Sequence, residues 1–398
     1  MVTIYTQAYN VEPYIEQCIK SVLSQTYRNF EWLLIENGST DGTRAIIQKY
    51  EQLDDRIKVE YFEKNQTGFA NDYIVQKARG EYIVKLDSDD WIDMDYLEVL
   101  LESLENEKAD LAICGWMKYD EETGKEFFDK YQQLDGVYYI QDIKKLYVEM
   151  WSYTRNYWGK MLRKKIFDIV AGKMETMDAR LKESGYFGGD TIFVLRYLEE
   201  CKKMVFVNKR LYHYRVCAKN YAVNTTIGID RVSGYVTLRE IDREFLRKCK
   251  IDTKENQILV DISFWEYIGQ LLKYVIQQNR ATTQRLREVS EICADFRVRQ
   301  IGRETYTSKV RTVLTPYIAW CYMNMEAGDS VYLKDMLILL EPSLFENISD
   351  VAYEWLLKNQ ILMSYIIMGE YVNAREYMKQ ISTGDNESII TELLKGLT

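Results

Sequence analysis

Residues 80–91 read GEYIVKLDSDDW, a strand-like apolar run that leads directly into three aspartates. Ligands bind at the carboxyl ends of the strands in open α/β sheets, and Asp87, Asp89 and Asp90 would emerge at such an end. Carboxylate oxygens suit a hard divalent cation such as Mg²⁺ or Mn²⁺. The stretch therefore predicts a cation site at the edge of a sheet. The competing interpretation, that the acids cap a helix beginning near Asp93, fits Asp90 better than the whole group.

The sequence around this stretch predicts an α/β fold with a mostly parallel sheet flanked by helices. Short β-rich runs alternate with helical patterns over residues 1 to about 115, which is typical of such sheets. The runs are residues 2–5, 32–35, 59–62, 82–86 and 111–114. Apolar residues recur at helical spacing behind Pro13, and GSTDGT at residues 38–43 supplies a turn before the next helical stripe.

The length of 398 residues exceeds what one hydrophobic core usually supports, so we expect two domains. Beyond about residue 220 the β-rich runs give way to long stretches with helical periodicity. We therefore place an α/β domain in residues 1–220 and a mainly α-helical domain in residues 221–398. Within the second domain, residues 353–381 read as two helices broken at Gly369 and Glu370, which resembles one unit of a helical repeat.

The net charge of −9 argues against broad electrostatic binding to nucleic acid, because an acidic surface repels phosphates. A phosphorylated ligand must then be held locally, by a bound cation or by a few placed basic side chains. The basic residues of the helical half are mixed with acids, so attachment to a membrane surface stays an open alternative without support. They include Arg285, Arg287, Arg297 and Arg299.

The seven cysteines are scattered, odd in number and never closely paired, which predicts reduced thiols in a cytoplasmic protein. The first residues show no basic region followed by an apolar block, and no apolar run approaches the roughly 20 residues of a membrane-spanning helix. We therefore expect neither secretion nor a transmembrane segment. A position at the inner face of the membrane stays open.

Four segments, taken in order, resemble family 2 glycosyltransferases with the GT-A fold over roughly residues 1–216. The first is YTQAYNVEPYIEQCIKSVLSQTYRNFEWLLIENGSTDGT at residues 5–43, which is similar to the block that forms the nucleotide pocket in that family. The resemblance implies that Gln7, Tyr9, Glu36 and Asn37 contact the nucleotide-sugar donor. The stretch is long enough to be far more specific than a lone Gly-rich loop.

This first segment departs from the family pattern at two places. Family members usually carry two adjacent acids before the GS turn, the second contacting uracil; here they are Glu36 and Asn37. An Asn side-chain carbonyl can still accept a hydrogen bond from a base N–H. Gln7 and Ala8 stand where a proline is common before the Tyr-Asn pair. The alternative is that Glu36 and Asn37 merely end a strand before a turn.

The second segment is the acidic stretch at residues 80–91, which resembles the DXD motif of the family. The match implies that Asp89 is the direct metal ligand, with Asp87 nearer the ribose or the metal's waters and Ser88 also at the donor. Before it, Asn71 and Asp72 stand where an Arg-Asn pair is common, so one basic contact to the donor is absent. A bound Mn²⁺ or Mg²⁺ would neutralise the donor diphosphate.

The third segment is YFGGDTIFVLRYL at residues 186–198, a Gly-rich turn followed by a helical pattern. It resembles the family's Glu-Asp pair, with Gly189 in place of the Glu. The match implies that Asp190 is the base that removes the proton of the acceptor hydroxyl. One carboxylate suffices for an inverting displacement. Asp190 could equally be an ordinary helix N-cap.

The fourth comprises YWGKMLRKKIF at residues 157–167 and LYHYRV at residues 211–216, which resemble segments that flank the base in the family. They imply donor contacts from Lys160 and Arg215 and a metal or diphosphate contact from His213, the single histidine of the chain. A histidine beside aromatic residues is also commonly a packed surface residue. Arg215 fits a salt bridge to a carboxylate equally well.

Together these segments predict transfer of a sugar from a nucleotide diphosphate, with a UDP-sugar as the expected donor, to a hydroxyl of a glycan or glycolipid acceptor. The product is expected to be inverted at the anomeric carbon and to belong to a cell-surface polysaccharide or glycoconjugate. Two alternatives stay open: a non-catalytic nucleotide-sugar-binding protein and a metal-dependent nucleotidyltransferase. The sugar, the acceptor, the linkage and the oligomeric state are not fixed by the sequence.

Overall fold

One sheet of ten strands organises the α/β part of the protein. The structure is a computed structural model that describes residues 1–66, 70–128, 134–183, 188–216 and 231–305. In these ranges the strands are β1 Val2–Ala8, β2 Phe30–Asn37, β3 Ile57–Phe62, β4 Tyr82–Lys85, β5 Trp91–Ile92, β6 Leu111–Asp120, β7 Lys125–Phe127, β8 Gly136–Tyr139, β9 Lys160–Arg163 and β10 Lys203–Val216.

Helices connect and cover these strands. In chain order the described helices are α1 Ile15–Leu23, α2 Thr43–Glu51, α3 Ala70–Lys77, α4 Tyr96–Asn106, α5 Ile143–Thr154, α6 Lys164–Glu183, α7 Gly189–Glu200, α8 Arg231–Lys248, α9 Lys254–Gln277, α10 Thr282–Ala294 and α11 Phe296–Thr305. A short 3₁₀ turn, Ile140–Asp142, precedes α5. The alternation of strands and helices confirms the predicted α/β class.

The strand order is β3-β2-β1-β4-β9-β6-β10-β5, with β7 beside β6 and β8 beside β10. The first four strands are parallel, so their carboxyl ends meet at one edge of the sheet. Beyond β4 the sheet becomes mixed, because β9 runs antiparallel to both β4 and β6. The mostly parallel sheet that we expected is therefore parallel over β3-β2-β1-β4, the part that carries the acidic stretch, and mixed beyond it.

The central strands are mainly apolar and are buried along almost their whole length, as expected for a sheet with helices on both faces. Val2, Ile4, Trp32 and Leu34 are fully buried. The buried polar side chains have partners, as buried hydrogen-bonding groups require. The Trp32 Nε1–H donates to Thr6 Oγ1 at 3.1 Å. The core thus holds β1 rigidly in the middle of the parallel half.

Two compact units make up the chain: Met1–Thr225 with Thr237–Gln257, and Thr226–Val236 with Ile258–Thr398. In the described part of the second unit, Tyr235 stacks on Tyr267, with ring centroids 5.4 Å apart. The predicted domain boundary near residue 220 lies outside the described residues, and so does the repeat-like segment at residues 353–381; both stay predictions.

Membrane crossing and thiol pairing can be checked over the described ranges. No helix there combines the length and the apolar character that a bilayer span needs. The five cysteines in those ranges, Cys18, Cys114, Cys201, Cys249 and Cys293, are free thiols.

Gly80 precedes β4 at a place where no side chain fits. A Cβ there would lie 2.5 Å from the Thr3 amide nitrogen and 2.8 Å from the Val2 carbonyl carbon, both backbone atoms of β1. We predict that Gly80→Ala lowers the free energy of unfolding by about 1–3 kcal/mol, because β1 and β4 must separate. Urea unfolding measures the change.

The matched control is Gly172→Ala in α6, where a Cβ meets no described atom within 4 Å. It should raise the free energy of unfolding by about 0.5–1 kcal/mol through helix propensity. Equal stability of the two variants would contradict the close approach of β1 and β4.

Candidate active site

Two aspartates that lie far apart in the sequence meet at the carboxyl edge of the parallel strands. The Lys85 ammonium at the end of β4 lies 3.2 Å from both carboxylate oxygens of Asp190. The same nitrogen lies 3.4 Å from Asp87 Oδ1. Asp87 follows β4 by two residues, and Asp190 is in the first turn of α7. The structure therefore brings the two acids together around one ammonium at this edge of the sheet, and we call the space in front of them the crevice.

The backbone on each side of the crevice aims these acids. Leu86 continues the β1–β4 pairing by donating its N–H to Tyr5 O at 3.0 Å, and the turn then closes from Asp90 N to Asp87 O at 3.2 Å. On the other side, Gly188 caps α7 with φ +73°, a left-handed conformation that favours glycine. A Cβ at Gly188 would also lie 3.1 Å from Leu238 Cδ2. These two turns set where the carboxylates lie.

The charges in the crevice are strongly coupled. Burial alone lowers the pKa of Lys85, and the charges of Asp190 and Asp87 reverse this, so its pKa is raised and it stays protonated. Burial raises the pKa of Asp87; Lys85 opposes the rise and Asp190 adds to it. Burial and then the charge of Asp87 raise the pKa of Asp89 to about 6. A second cation beside Asp87 and Asp89 would relieve this repulsion.

Asp90 belongs to the framework of the site. Its side chain is buried and accepts hydrogen bonds from Tyr212 Oη at 2.7 Å and from the Arg215 amide at 2.8 Å. It does not cap α4, which begins at Tyr96 behind Asp95. Burial and the charges of Asp89 and Asp87 raise the pKa of Asp90 well above its usual range. Asp90 thus ties the acidic turn to β10.

The predicted donor contact of Arg215 stays a prediction, and in this structure its guanidinium contacts protein groups. Its guanidinium is buried, donates from Nε to Asp89 O at 2.8 Å, and pairs with Glu121 and Gln17. It also lies 4.8 Å from the centroid of the Trp91 ring. The salt-bridge interpretation applies here, because these protein groups surround the guanidinium and hold the backbone of the acidic turn.

His213 is not grouped with the aspartates of the DXD stretch. Its ring stacks on Trp91 with centroids 4.9 Å apart, and its Nε2 lies 2.9 Å from Asp93 Oδ1. Among the described residues, no three His, Cys, Asp or Glu side chains are arranged to hold a metal ion. The metal set of Asp87, Asp89 and His213 stays a prediction; Asp87 and Asp89 lie together in the acidic turn, and His213 lies beside Trp91 and Asp93.

At the carboxyl end of β2, the Glu36 side chain is fully buried. Its Oε1 accepts a hydrogen bond from Ser39 N at 2.7 Å, and its Oε2 pairs with Arg44 Nε at 2.6 Å. The carboxylate therefore fixes the GS turn after β2. A direct contact of Glu36 with the donor does not fit this placement.

Asn37 is likewise buried and occupied. Its Nδ2 donates to Asn65 Oδ1 and to Gln66 O, and its Oδ1 accepts from Gln66 N at 2.9 Å. The hydrogen bond from a base N–H to this carbonyl stays a prediction; in this structure Asn37 bonds to residues 65–66. Gln7 shares this contact by donating from Nε2 to Gln66 O at 3.3 Å.

The remaining predicted donor contacts are distributed around the same edge. Tyr9 is exposed directly after β1, Asn71 is half-buried in α3, and Ser88 is buried in the acidic turn. The donor contact of Lys160 stays a prediction; Lys160 is buried, and its ammonium donates to the Asn156 carbonyl and side-chain oxygens at 2.7 Å. Burial lowers the pKa of Lys160 to about 7. In this structure the Lys160 side chain therefore lies in the protein interior and bonds to Asn156.

Lys85 is the site residue that the sequence analysis missed. A lysine in an otherwise buried strand is rare unless it is paired, and this one stands two residues before the first of three acids. That position was a usable signal for an ammonium at the carboxyl edge. The identity of its second partner, Asp190, could not be read from the spacing.

Comparison with known proteins identifies the family. Residues 3–169 match the sequence profile of Glycosyl transferase family 2. The chain is 30% identical over 224 residues to Glycosyltransferase GlyA of Streptococcus pneumoniae serotype 4, covering 54% of this chain and 30% of GlyA. It is 28% identical over 305 residues to the EpsH protein of Bacillus subtilis, covering 74% of this chain and 83% of EpsH. Residues 3–169 are therefore similar to glycosyltransferase family 2, and the relatives found are glycosyltransferases.

The fold is shared with a solved structure. The crystal structure of S. aureus TarS 1-349 in complex with UDP-GlcNAc matches with a TM-score of 0.51 and 15% identity, covering 88% of this chain and 94% of the TarS chain. The likeness at this identity is one of fold.

Asp89 generates a prediction about pH. Its pKa of about 6 lies above the value of about 3.9 expected in the unfolded chain. As the pH rises from about 4 to about 6 the group ionises in the unfolded chain before it ionises in the fold, so stability falls, and the loss is complete above pH 6. Without divalent cations, Asp89→Asn should therefore raise the free energy of unfolding by at most about 2–3 kcal/mol at pH 8 and by only about 0.5 kcal/mol at pH 4.

The control for this pH series is Asp55→Asn, which removes an exposed carboxylate of the same size. Urea unfolding at both pH values gives the comparison. A gain for Asp89→Asn that is equal at pH 4 and pH 8 would refute the electrostatic origin.

Asp90 generates a second prediction. Asp90→Ala leaves the buried Tyr212 hydroxyl and the Arg215 amide without their acceptor, so we expect the free energy of unfolding to fall by about 1–3 kcal/mol. Asp90→Asn keeps an acceptor for the amide and should lose less. Chemical denaturation of the three proteins is the measurement, and equal losses in both variants would contradict the assigned hydrogen bonds.

Proposed function

We propose that the protein transfers a sugar from a UDP-sugar to a hydroxyl of a glycan or glycolipid acceptor, with inversion at the anomeric carbon. The observation that carries the proposal is the meeting of Asp87 and Asp190 on one ammonium at the carboxyl edge of the parallel strands. The family match supports the reaction class. TarS, on the same fold, was crystallised with UDP-GlcNAc, which supports a UDP-sugar as the first donor to test.

Asp190 is the base in this proposal. Its side chain is about half exposed, at 47%, so an acceptor hydroxyl can reach it from solvent. The carboxylate takes the hydroxyl proton as the acceptor oxygen attacks the anomeric carbon. The bond between that carbon and the diphosphate oxygen breaks on the opposite face. A single displacement of this kind inverts the configuration.

Asp87 and Asp89 fit a divalent cation. Both are partly buried carboxylates, and each has a raised pKa, so a cation between them would offset repulsion already present. Mg²⁺ is commonly held by one or two carboxylates together with substrate phosphates and water, which matches the two acids left in the crevice. When bound, Mn²⁺ or Mg²⁺ neutralises the charge that develops on the diphosphate leaving group.

The donor nucleotide would lie along the edge formed by the ends of β1 and β2. The exposed ring of Tyr9 offers a surface for the base, and Gln7 lies beside it. Glu36 and Asn37 act indirectly, because they fix the GS turn and residues 65–66 that bound this edge. Ser88 and Asn71 complete the set of donor contacts that we propose.

We place this transfer in the cytoplasm, at the inner face of the membrane, in the synthesis of a cell-surface polysaccharide or glycoconjugate. The free thiols of the described cysteines support a reducing compartment. A glycolipid acceptor would bring the enzyme to the membrane without a spanning helix.

A second candidate is a nucleotide-sugar-binding protein without turnover. The inward-turned Glu36 and Asn37 favour it, since the two side chains at the family's base-contacting position are bound to protein groups. Binding of UDP without release of UDP from any donor would support this candidate over the enzyme. Release of pyrophosphate with nucleotide transfer would instead support a nucleotidyltransferase.

Activity supplies the test of the proposal. With Mn²⁺, UDP-sugars and a panel of glycan and glycolipid acceptors, the wild-type protein should release UDP. Asp190→Asn should lower kcat by about 100-fold or more, because it removes the general base. Asp89→Ala should abolish the dependence of the rate on Mn²⁺ and lower the rate comparably. NMR of the product should show the inverted anomer.

Asp55→Asn serves as the matched control, since it changes an exposed aspartate away from the crevice to asparagine and should keep the wild-type rate. Wild-type turnover in Asp190→Asn would refute the assigned base. A retained anomeric configuration would refute the single displacement.

A further inference from the structure

The proposed reaction gives no task to Lys85, a charged side chain that lies between Asp87 and Asp190. It contacts both oxygens of Asp190 at 3.2 Å and one oxygen of Asp87 at 3.4 Å. Its side chain is only 19% exposed, whereas that of Asp190 is 47% exposed. The ammonium thus lies beneath the carboxylate, on the protein side, and leaves the outer face of Asp190 toward solvent.

Aromatic rings limit where this ammonium can go. The nitrogen lies 5.4 Å from the centroid of the Tyr157 ring. Tyr157 in turn contacts Tyr5 edge to face, with centroids 6.0 Å apart, and both rings are buried. The Lys85 side chain has few rotamers beside these buried rings, so packing as well as charge fixes the position of its ammonium.

We propose that Lys85 is a positioning residue, which holds the carboxylate of Asp190 in the orientation needed to accept the proton of the acceptor hydroxyl. This inference rests on the proposed function and adds a residue that it does not include. Two contacts of equal length to the two oxygens of Asp190 restrict rotation of the carboxylate plane. The contact to Asp87 offsets the repulsion between that acid and the base.

The geometry favours this role over a contact to the donor diphosphate. A lysine that binds phosphate directs its ammonium toward the ligand, whereas the Lys85 ammonium is turned toward two carboxylates of the protein. The two roles differ in kinetics. Loss of a base-positioning group lowers kcat, whereas loss of a diphosphate contact raises the KM for the donor.

Three variants separate these possibilities. Lys85→Met keeps the length of the side chain and removes the charge, and Lys85→Arg keeps the charge. The matched control is Lys164→Met: Lys164 is 20% exposed and pairs with Asp168 at 2.7 Å, but it lies at the opposite end of β4, where its amide donates to Glu81 O. Each protein is assayed for kcat, for the donor KM and for urea unfolding.

We expect Lys85→Met to lower kcat by about 100-fold, the order of effect of misplacing a reacting group, with the donor KM changed less than about threefold. Lys85→Arg should stay within about tenfold of the wild-type kcat, and Lys164→Met should match the wild type. A rise in the donor KM at unchanged kcat in Lys85→Met would overturn the proposal in favour of a diphosphate contact. Unchanged kinetics would also overturn it.

The unfolding measurements distinguish failure of this inference from failure of the proposed function. If Lys85 holds Asp190, Lys85→Met should change stability less in the Asp190→Asn background than in the wild type, because the ion pair is already gone. Equal changes in both backgrounds would overturn the inference even in a protein without transferase activity. If Asp190→Asn loses turnover while Lys85→Met keeps a normal kcat, the role of Lys85 is refuted and the assignment of Asp190 as the base stands.

Discussion

Charge balance at the edge of an apolar sheet is the constraint on which the site depends. The parallel strands are buried on both faces, so acids at their ends are partly removed from water, and burial is the largest cause of the raised pKa values of Asp87 and Asp89. Ionised carboxylates persist there only beside positive charge. Lys85 supplies a fixed positive charge between Asp87 and Asp190. The remaining negative charge favours the binding of a divalent cation from solution.

The acidic turn is held from behind by a second group of interactions. The Arg215 guanidinium on β10 donates a hydrogen bond to the carbonyl oxygen of Asp89. The side chain of Asp90 accepts a hydrogen bond from the backbone amide of Arg215. The guanidinium also reaches Gln17 on α1 and Glu121 beyond β6. The strand that closes the mixed half of the sheet therefore positions the acids that follow β4, which explains why a buried arginine and a buried aspartate lie so near a polar crevice.

The fold and the acidic half of the site could be predicted from the sequence because both follow local patterns. Alternating β-rich and helical runs correspond to β1 to β4 and the helices between them, and acids directly after a buried strand must emerge at its carboxyl edge. The environments of Lys160, Arg215 and Asn37 could not be predicted in this way. Their partners, such as Glu121 for Arg215 and Gln66 for Asn37, are set by tertiary contacts rather than by spacing. Lys85 is predictable in the same way, because a lysine two residues before the first of three acids indicates an ammonium at the same edge of the sheet.

The central claim is that Asp87, Asp89 and Asp190 surround one donor and one cation. The most direct measurement is a crystal structure of the protein grown with UDP and Mn²⁺. The account predicts an anomalous Mn²⁺ peak bound by the carboxylate of Asp89, a diphosphate on that ion, and the Asp190 carboxylate facing the space beyond the terminal phosphate. A nucleotide seated away from the carboxyl ends of β1 and β4, or an ion bound without either DXD aspartate, would contradict it.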